Sequence, residues 1–265
     1  MIKMLVLDLD GTILNFEREV SPRDIEAIKR IMDDGVQLTI ATGRLDHEIE
    51  AVLEMMDLNG KANRISQNGA FGYDKDGLHI HSHTFDPTHV KEIFQAAVHD
   101  ELITTVSTEK DVYVKEESEG LEAMKKRMFR PVIIEPNLAD ELGTNVEPSK
   151  ISLHGANITL KRMQQRIEEQ FGDLLDTFIS DPACLDLMPK NISKGEGIKH
   201  LLESFDIQPE EIACVGDSFN DLSMFNLTEH SFAMSQAEQA VKDQASHVVP
   251  SVAKAIESMY DQRLV

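Results

Sequence analysis

The chain has 265 residues, enough for one large domain or two modest ones with an ample core. A hydrophobic content of 41% suits a globular protein, and no apolar run approaches the length of a membrane span. The 47 acidic residues against 26 basic ones leave a formal net charge of -21, a surface that would repel nucleic acid.

In chain order, "KMLVLDLD" is a continuous apolar run of strand length, as expected of a strand covered on both faces in a parallel sheet. It ends in Asp8 and Asp10 and breaks on Gly11, which lets the chain leave the strand sharply. At i and i+2 the two carboxylates are expected to share a direction. "SPRDIEAIKRIMDDG" reads as a helix with Ser21 as N-cap, Pro22 at the first position, an inner face of Ile25, Ile28, Ile31 and Met32, and Gly35 as the stop. "VQLTIATGR" predicts a second strand and a loop, "DHEIEAVLEMM" a second helix closed by core methionines 55 and 56, and "NRISQNGA" a third strand ending at Asn68 and Gly69. Strand and helix alternating in this way imply a Rossmann-like α/β core with right-handed crossovers.

From about Phe71 the rhythm changes to two short strands around Asp74 to Gly77. An inserted α+β unit follows, with a helix opened by Asp86 and Pro87 and short strands at "LITTVS" and "DVYVK". It continues through a helix at "EGLEAMKKRMF", a strand at "KISLHG", a helix at "TLKRMQQRIEEQF", and strands at "DTFIS" and "CLDLMP". The one basic cluster, Lys125, Lys126, Arg127 and Arg130, reads as a solvated helix face, with contact to an anionic ligand as the other reading. Near Pro189 the first rhythm resumes: "SKGEGIKHLLESF" is a helix capped by Ser193, "EIACVGD" a strand, and "HSFAM" and "SHVVP" further strands, each followed by a helical stretch. The expected division is a core domain of residues 1–82 and 188–265 around an inserted domain of 83–187. Cys184 and Cys214 read as small buried hydrophobes of a reducing compartment. With an acidic turn where a signal peptide would stay apolar, they predict a cytoplasmic protein without a membrane partner.

Ligands of open α/β sheets gather at the carboxyl ends of the strands. Asp8 and Asp10, then Thr42, Gly43 and Arg44, then Asp217 and Asp221 all fall at such ends, and Lys194 opens the helix before the last of them. Converging carboxylates repel and need a positive partner. Hard oxygens without paired His or Cys select Mg²⁺. A metal, a lysine, the Thr42 hydroxyl and the Gly43 N–H together suit a transferring phosphoryl group.

"DLDGT", "ATGR", "SKGEGI" and "GDSFND" resemble, in order and spacing, the four motifs of the haloacid dehalogenase (HAD) superfamily of phosphatases. The insertion between the second and third motifs, with "ISQNGA" before it, is similar to the Cof-type subfamily IIB with its C2B cap. The resemblance implies the HAD fold and assigns Asp8 as the nucleophile that becomes an aspartyl phosphate. It assigns Asp10 as the acid that protonates the leaving group and then activates water. Leu9 (through its backbone), Thr42, Gly43, Lys194 and Asn220 would hold phosphoryl oxygens. Mg²⁺ would be bound by the Asp8 carboxylate, the Asp10 main-chain carbonyl and Asp217, with Asp221 completing or orienting the shell. The implied partner is a small phosphorylated metabolite such as a sugar phosphate, and the chain is expected to be a monomer or weak homodimer. A sugar phosphomutase of the same superfamily and a non-catalytic phospho-accepting or metal-binding module are the alternatives. Asp10 separates the hydrolase from a receiver domain, which lacks a second acid two residues beyond the phosphorylated aspartate.

Two further patterns invite metal readings. Asp8, Asp10, Thr12 and Glu19 fall on four positions of a calcium loop, but its sixth position needs glycine and holds Ile13. His79, His81 and His83 share one side of a strand without a fourth ligand in sight, and read as a partly exposed edge strand.

Overall fold

The computed structural model describes residues 1–15, 17–125 and 131–265. They divide into two compact units, Met1–Ser82 with Ser193–Val265, and His83–Ile192. The first stretch runs β1 (Met4–Leu7), α1 (Pro22–Asp33), β2 (Gln37–Ala41), α2 (Asp46–Met55), β3 (Ala62–Ser66), β4 (Phe71–Tyr73) and β5 (His79–Ser82). The second unit holds α3 (Val90–Ala97), β6 (Ile103–Ser107), β7 (Val112–Val114), α4 (Glu119–Lys125), β8 (Ile133–Ile134), α5 (Leu138–Glu141), β9 (Lys150–His154), α6 (Asn157–Phe171), β10 (Leu175–Asp181) and β11 (Cys184–Pro189). The chain then completes the first unit with α7 (Lys194–Phe205), β12 (Ile212–Gly216), α8 (Leu222–Phe225), β13 (Ser231–Met234), α9 (Gln239–Lys242), β14 (His247–Val249) and α10 (Val252–Asp261).

The first unit is built on an eight-stranded sheet in the order β14-β13-β12-β1-β2-β3-β4-β5. Its strands are parallel from β14 to β3. β4 and β5 then extend it antiparallel, so the hairpin from Phe71 is part of the core sheet. The central strand explains its own composition. Leu5 and Leu7 pack with Ile28, Ile31, Ile49, Val52 and Ile256 on one side of the sheet, while Met4 and Val6 pack with Ile198, Leu201, Met224 and Phe225 on the other. With both faces covered, each of these aliphatic side chains stabilises the fold by about 1.5–3 kcal/mol. α1 keeps its expected ends, although the Ser21 side chain makes no capping hydrogen bond, and Ser193 does cap α7 by accepting from the Glu196 N–H. Met56 is buried, whereas Met55 is exposed.

The second unit is a six-stranded sheet in the order β10-β11-β9-β6-β7-β8. Val106, Ile151, Leu153, Leu185 and Leu187 on one face of it pack against Ile93, Phe94, Leu160, Met163 and Ile167 of α3 and α6. Strand β11 runs to Pro189, and the unit ends at Ile192 rather than at the expected 187. β8 and α5 have no counterpart in the sequence reading, being too short to leave a periodic pattern. Of the basic cluster, Lys125 is engaged by Glu117 and Glu122; Lys126, Arg127 and Arg130 lie outside the described residues. Cys214 is buried and Cys184 half-buried, the latter with its Sγ 3.5 Å from Asp186 Oδ1. Among the described residues no helix is long and apolar enough to cross a membrane.

Candidate active site

The site lies at the carboxyl end of the first unit's sheet, where β1, β2 and β12 stop side by side. β1 ends at Leu7, leaving Asp8 as the first residue beyond the strand. The chain then turns. The Leu9 carbonyl accepts from the N–H groups of Ile13 (3.1 Å) and Leu14 (2.8 Å), and Gly11 sits at φ 84°. A side chain at Gly11 would also collide with the Asp217 carboxylate, so glycine is required there twice over.

This turn overturns one expectation. Because Asp10 is past the end of the strand, it does not share the direction of Asp8: Asp8 is buried, whereas the Asp10 side chain is 54% exposed. Its carboxylate is instead gripped by Arg44, whose Nε donates to Oδ2 at 2.7 Å and Nη2 to Oδ1 at 2.5 Å. No role for Arg44 follows from the sequence alone, although the bidentate fork is a common arrangement of arginine with carboxylate.

Three carboxylates do converge. Oxygens of Asp8, Asp217 and Asp221 lie within 4.8 Å of one another. Lys194, the first residue of α7 and almost wholly buried, places Nζ 2.5 Å from Asp8 Oδ1 and 2.6 Å from Asp221 Oδ1. Asp221 Oδ2 accepts from the N–H groups of Asp217 (2.8 Å) and Ser218 (2.9 Å), so both Asp221 oxygens are engaged within the protein. Asp217 is less tied: the Thr12 hydroxyl donates to its Oδ1 at 3.4 Å.

The electrostatics follow from this crowding. Burial pushes the Asp8 carboxyl well above its ordinary range, Lys194 pulls it down, and Asp221 and Asp217 push it up again. Burial and Asp221 raise Asp217 to about 6 against the pull of Lys194. Burial would lower the lysine, but Asp221 and Asp8 outweigh it and keep the ammonium charged. Two carboxylates held reluctant to ionise beside one cation form a set of hard oxygens short of positive charge, which fits a divalent metal ion.

On the neighbouring strand end, Thr42 is buried and its hydroxyl accepts from the Arg44 N–H at 3.2 Å. Asn220, in the turn after β12, donates from Nδ2 to Asn68 Oδ1 at 3.0 Å. The third strand stops at Ser66, short of the expected Asn68, because Gln67, Asn68 and Gly69 form a single tight turn. Of the β5 histidines, His81 serves this turn. The His81 ring lies 4.6 Å from that of His200, and its Nε2 is 2.9 Å from the Gly69 carbonyl oxygen. Among the described residues the acidic trio is the one group of three side chains able to share a metal.

Comparison with known proteins agrees with this layout. A sequence profile of the haloacid dehalogenase-like hydrolases matches residues 5–256. A 5-amino-6-(5-phospho-D-ribitylamino)uracil phosphatase of Bacillus subtilis is 26% identical over 271 residues, covering 94% of this chain and 93% of that one. An HMP-PP phosphatase of Yersinia enterocolitica is 22% identical over 245 residues, covering 92% and 88%. The fold is shared with a solved HAD/COF-like hydrolase of Plasmodium vivax, at a TM-score of 0.88 and 24% identity over 98% of this chain and 96% of that one. A profile matched along nearly the whole chain, over a carboxylate site at the strand ends, places the protein in the haloacid dehalogenase-like hydrolase family, as a phosphatase.

Proposed function

We propose that this phosphatase hydrolyses small phosphorylated metabolites, sugar phosphates among them, with Mg²⁺ and through an aspartyl phosphate on Asp8. The observation that carries the reading is the placement of Asp8, buried at a strand end with Lys194 at 2.5 Å and two further carboxylates beside it. The Bacillus subtilis relative is named for a small phosphorylated compound, which supports the substrate class.

In the proposed reaction Asp8 attacks phosphorus in line, forming an Oδ–P bond as the ester P–O bond breaks. Asp10 gives its proton to the departing alkoxide, then takes one from the water that attacks the aspartyl phosphate. The Oδ–P bond breaks and inorganic phosphate leaves, with Asp8 and Asp10 restored. Leu9 and Gly43 through backbone N–H groups, and Thr42, Lys194 and Asn220 through side chains, hold the phosphoryl oxygens as charge gathers on them. Mg²⁺, when bound, supplies positive charge to those oxygens. The Asp8 and Asp217 carboxylates and the Asp10 main-chain carbonyl would hold it. Asp221, with both oxygens engaged, orients the Asp217 loop and Lys194. The reading carries with it a cytoplasmic monomer or weak homodimer with neither nucleic acid nor membrane as partner.

Metal dependence has a pH signature. A carboxyl raised to about 6 in the fold contributes stability below its ordinary value near 3.8, and that stability is lost as pH climbs through 6. Mg²⁺ binds the ionised form and offsets the loss. Purified protein should therefore release phosphate from a panel of sugar phosphates, stop when the metal is chelated, and resume when Mg²⁺ is restored. The rise in Tm on adding Mg²⁺ should be larger at pH 7.5 than at pH 5. Turnover indifferent to chelation, or a Tm rise equal at both pH values, would count against the metal site.

Arg44 follows as the residue that holds the acid. Asp10 must give up at least one of its two bonds to Arg44 to reach a leaving group, so the fork sets where the acid waits. Arg44→Lys keeps the charge and loses the fork. With an alkyl phosphate, whose leaving group needs a proton, kcat/KM should fall about tenfold, a part of the roughly 10²–10⁴ that a general acid contributes in full. With p-nitrophenyl phosphate, whose leaving group needs none, it should barely change. An equal loss on both substrates would refute the assignment.

A further inference from the structure

The turn Gln67–Asn68–Gly69 has no part in the roles assigned above, yet it is strained. All three residues have positive φ, at 48°, 56° and 102°, and the first two carry side chains that disfavour it. Such a conformation persists where its surroundings hold it. Here the Gln67 N–H donates to the Arg44 carbonyl and the Asn68 N–H to the Thr42 carbonyl, both at 2.8 Å, which ties the turn to the Thr42–Arg44 loop.

The turn delivers Asn68, 2% exposed, between two groups assigned to the phosphoryl. Asn220 Nδ2 donates to Asn68 Oδ1 at 3.0 Å. A Cβ added to Gly43 would lie 3.2 Å from Asn68 Oδ1 and 3.4 Å from its Nδ2, so the Asn68 amide lies against Gly43. Among the described residues, Asn68 Nδ2 and Asn220 Oδ1 are both buried without a hydrogen-bond partner. Buried polar atoms are as a rule paired, and these two lie beside groups assigned to an anionic ligand.

An amide beside an anion must present its N–H end, because its carbonyl oxygen would be repelled. By accepting one hydrogen of the Asn220 NH₂, Asn68 Oδ1 fixes which end of Asn220 donates and leaves the second hydrogen for an anionic oxygen. We propose that Asn68 is a positioning residue of the phosphoryl pocket, acting through Asn220 by setting the orientation of its amide. This rests on the reading of Asn220 as a phosphoryl ligand.

The test is a double-mutant cycle on the dissociation constant of inorganic phosphate, measured by titration calorimetry on the full chain with Mg²⁺ present. Asn68→Gly deletes the amide and suits the left-handed backbone. Asn220→Ala should weaken phosphate about tenfold, the scale of one hydrogen bond to a charged group. Asn68→Gly should weaken it severalfold, and the double variant should be no worse than Asn220→Ala alone. A purely structural role for the turn would instead multiply the two losses, which overturns the inference, as does an unchanged constant in Asn68→Gly. If Asn220→Ala itself binds phosphate as the parent does, the assignment of Asn220 falls and the inference with it. Should Asn68→Gly not fold, Asn68→Asp keeps the acceptor. Adding Asn220→Ala to it should still weaken phosphate about tenfold, and a markedly smaller loss would overturn the inference.

Discussion

Asp8→Asn is expected to release no measurable phosphate from any substrate the parent accepts, while remaining folded. The carboxamide has the shape of the carboxylate but not its nucleophilic oxygen. The expected loss in kcat is about 10⁴-fold or more, the scale seen when a covalent nucleophile is removed. Folding should survive because the substitution removes one of three crowded negative charges as well as one partner of Lys194, and the two changes oppose each other. Thermal unfolding checks the fold. Acid quench of the parent during turnover should trap phosphate on the chain, and quench of the variant should trap none. A variant that turns over like the parent would show that another group attacks phosphorus.

Most of the first unit is legible from local pattern. Buried aliphatic runs mark β1, β2 and β12, and capping residues mark α1 and α7, because both signals act over a few residues of chain. The limits appear where a contact joins distant segments. The Phe71–Ser82 hairpin breaks the strand-helix rhythm, and the expected core of residues 1–82 includes it. Its antiparallel pairing with β3, however, is encoded by no local signal. Asp10 would point with Asp8 if the strand continued, and the turn at Leu9 separates them. The convergence of Asp8, Asp217, Asp221 and Lys194 is legible in the sequence because strand ends of a parallel sheet are adjacent by construction. Arg44 and Asn68 could not be given roles, since their partners, Asp10 and Asn220, lie 34 and 152 residues away in sequence. The signal available for Asn68 was weak: an asparagine followed by glycine after a strand suggests a left-handed turn, but not what the side chain holds.

Lys194→Met should be the most destabilising single change at the site. Lys194 is 1% exposed and is the cation in direct contact with Asp8 and Asp221, themselves almost fully buried. Removing one partner of a buried ion pair leaves the other charge uncompensated, at a cost of about 3–5 kcal/mol. Methionine fills a similar volume, so the loss would come from charge rather than from a cavity. The pH dependence tests that attribution. The Asp8 carboxyl is already raised by burial, and Lys194 is the influence that lowers it, so the variant raises it further. A carboxyl with a raised value in the fold keeps its contribution to stability below its ordinary value near 3.8, and loses it as pH rises through the folded value. The deficit of Lys194→Met relative to the parent should therefore be large at pH 8 and shrink at pH 5. Adding Mg²⁺ at pH 8 should recover part of it, because a divalent ion among the same oxygens replaces the missing charge. Urea denaturation at the two pH values, with and without metal, measures all three effects. A deficit of the same size at pH 5 and pH 8 would mean that Lys194 stabilises the fold by packing rather than by charge, and that the three carboxylates do not depend on it for a counterion.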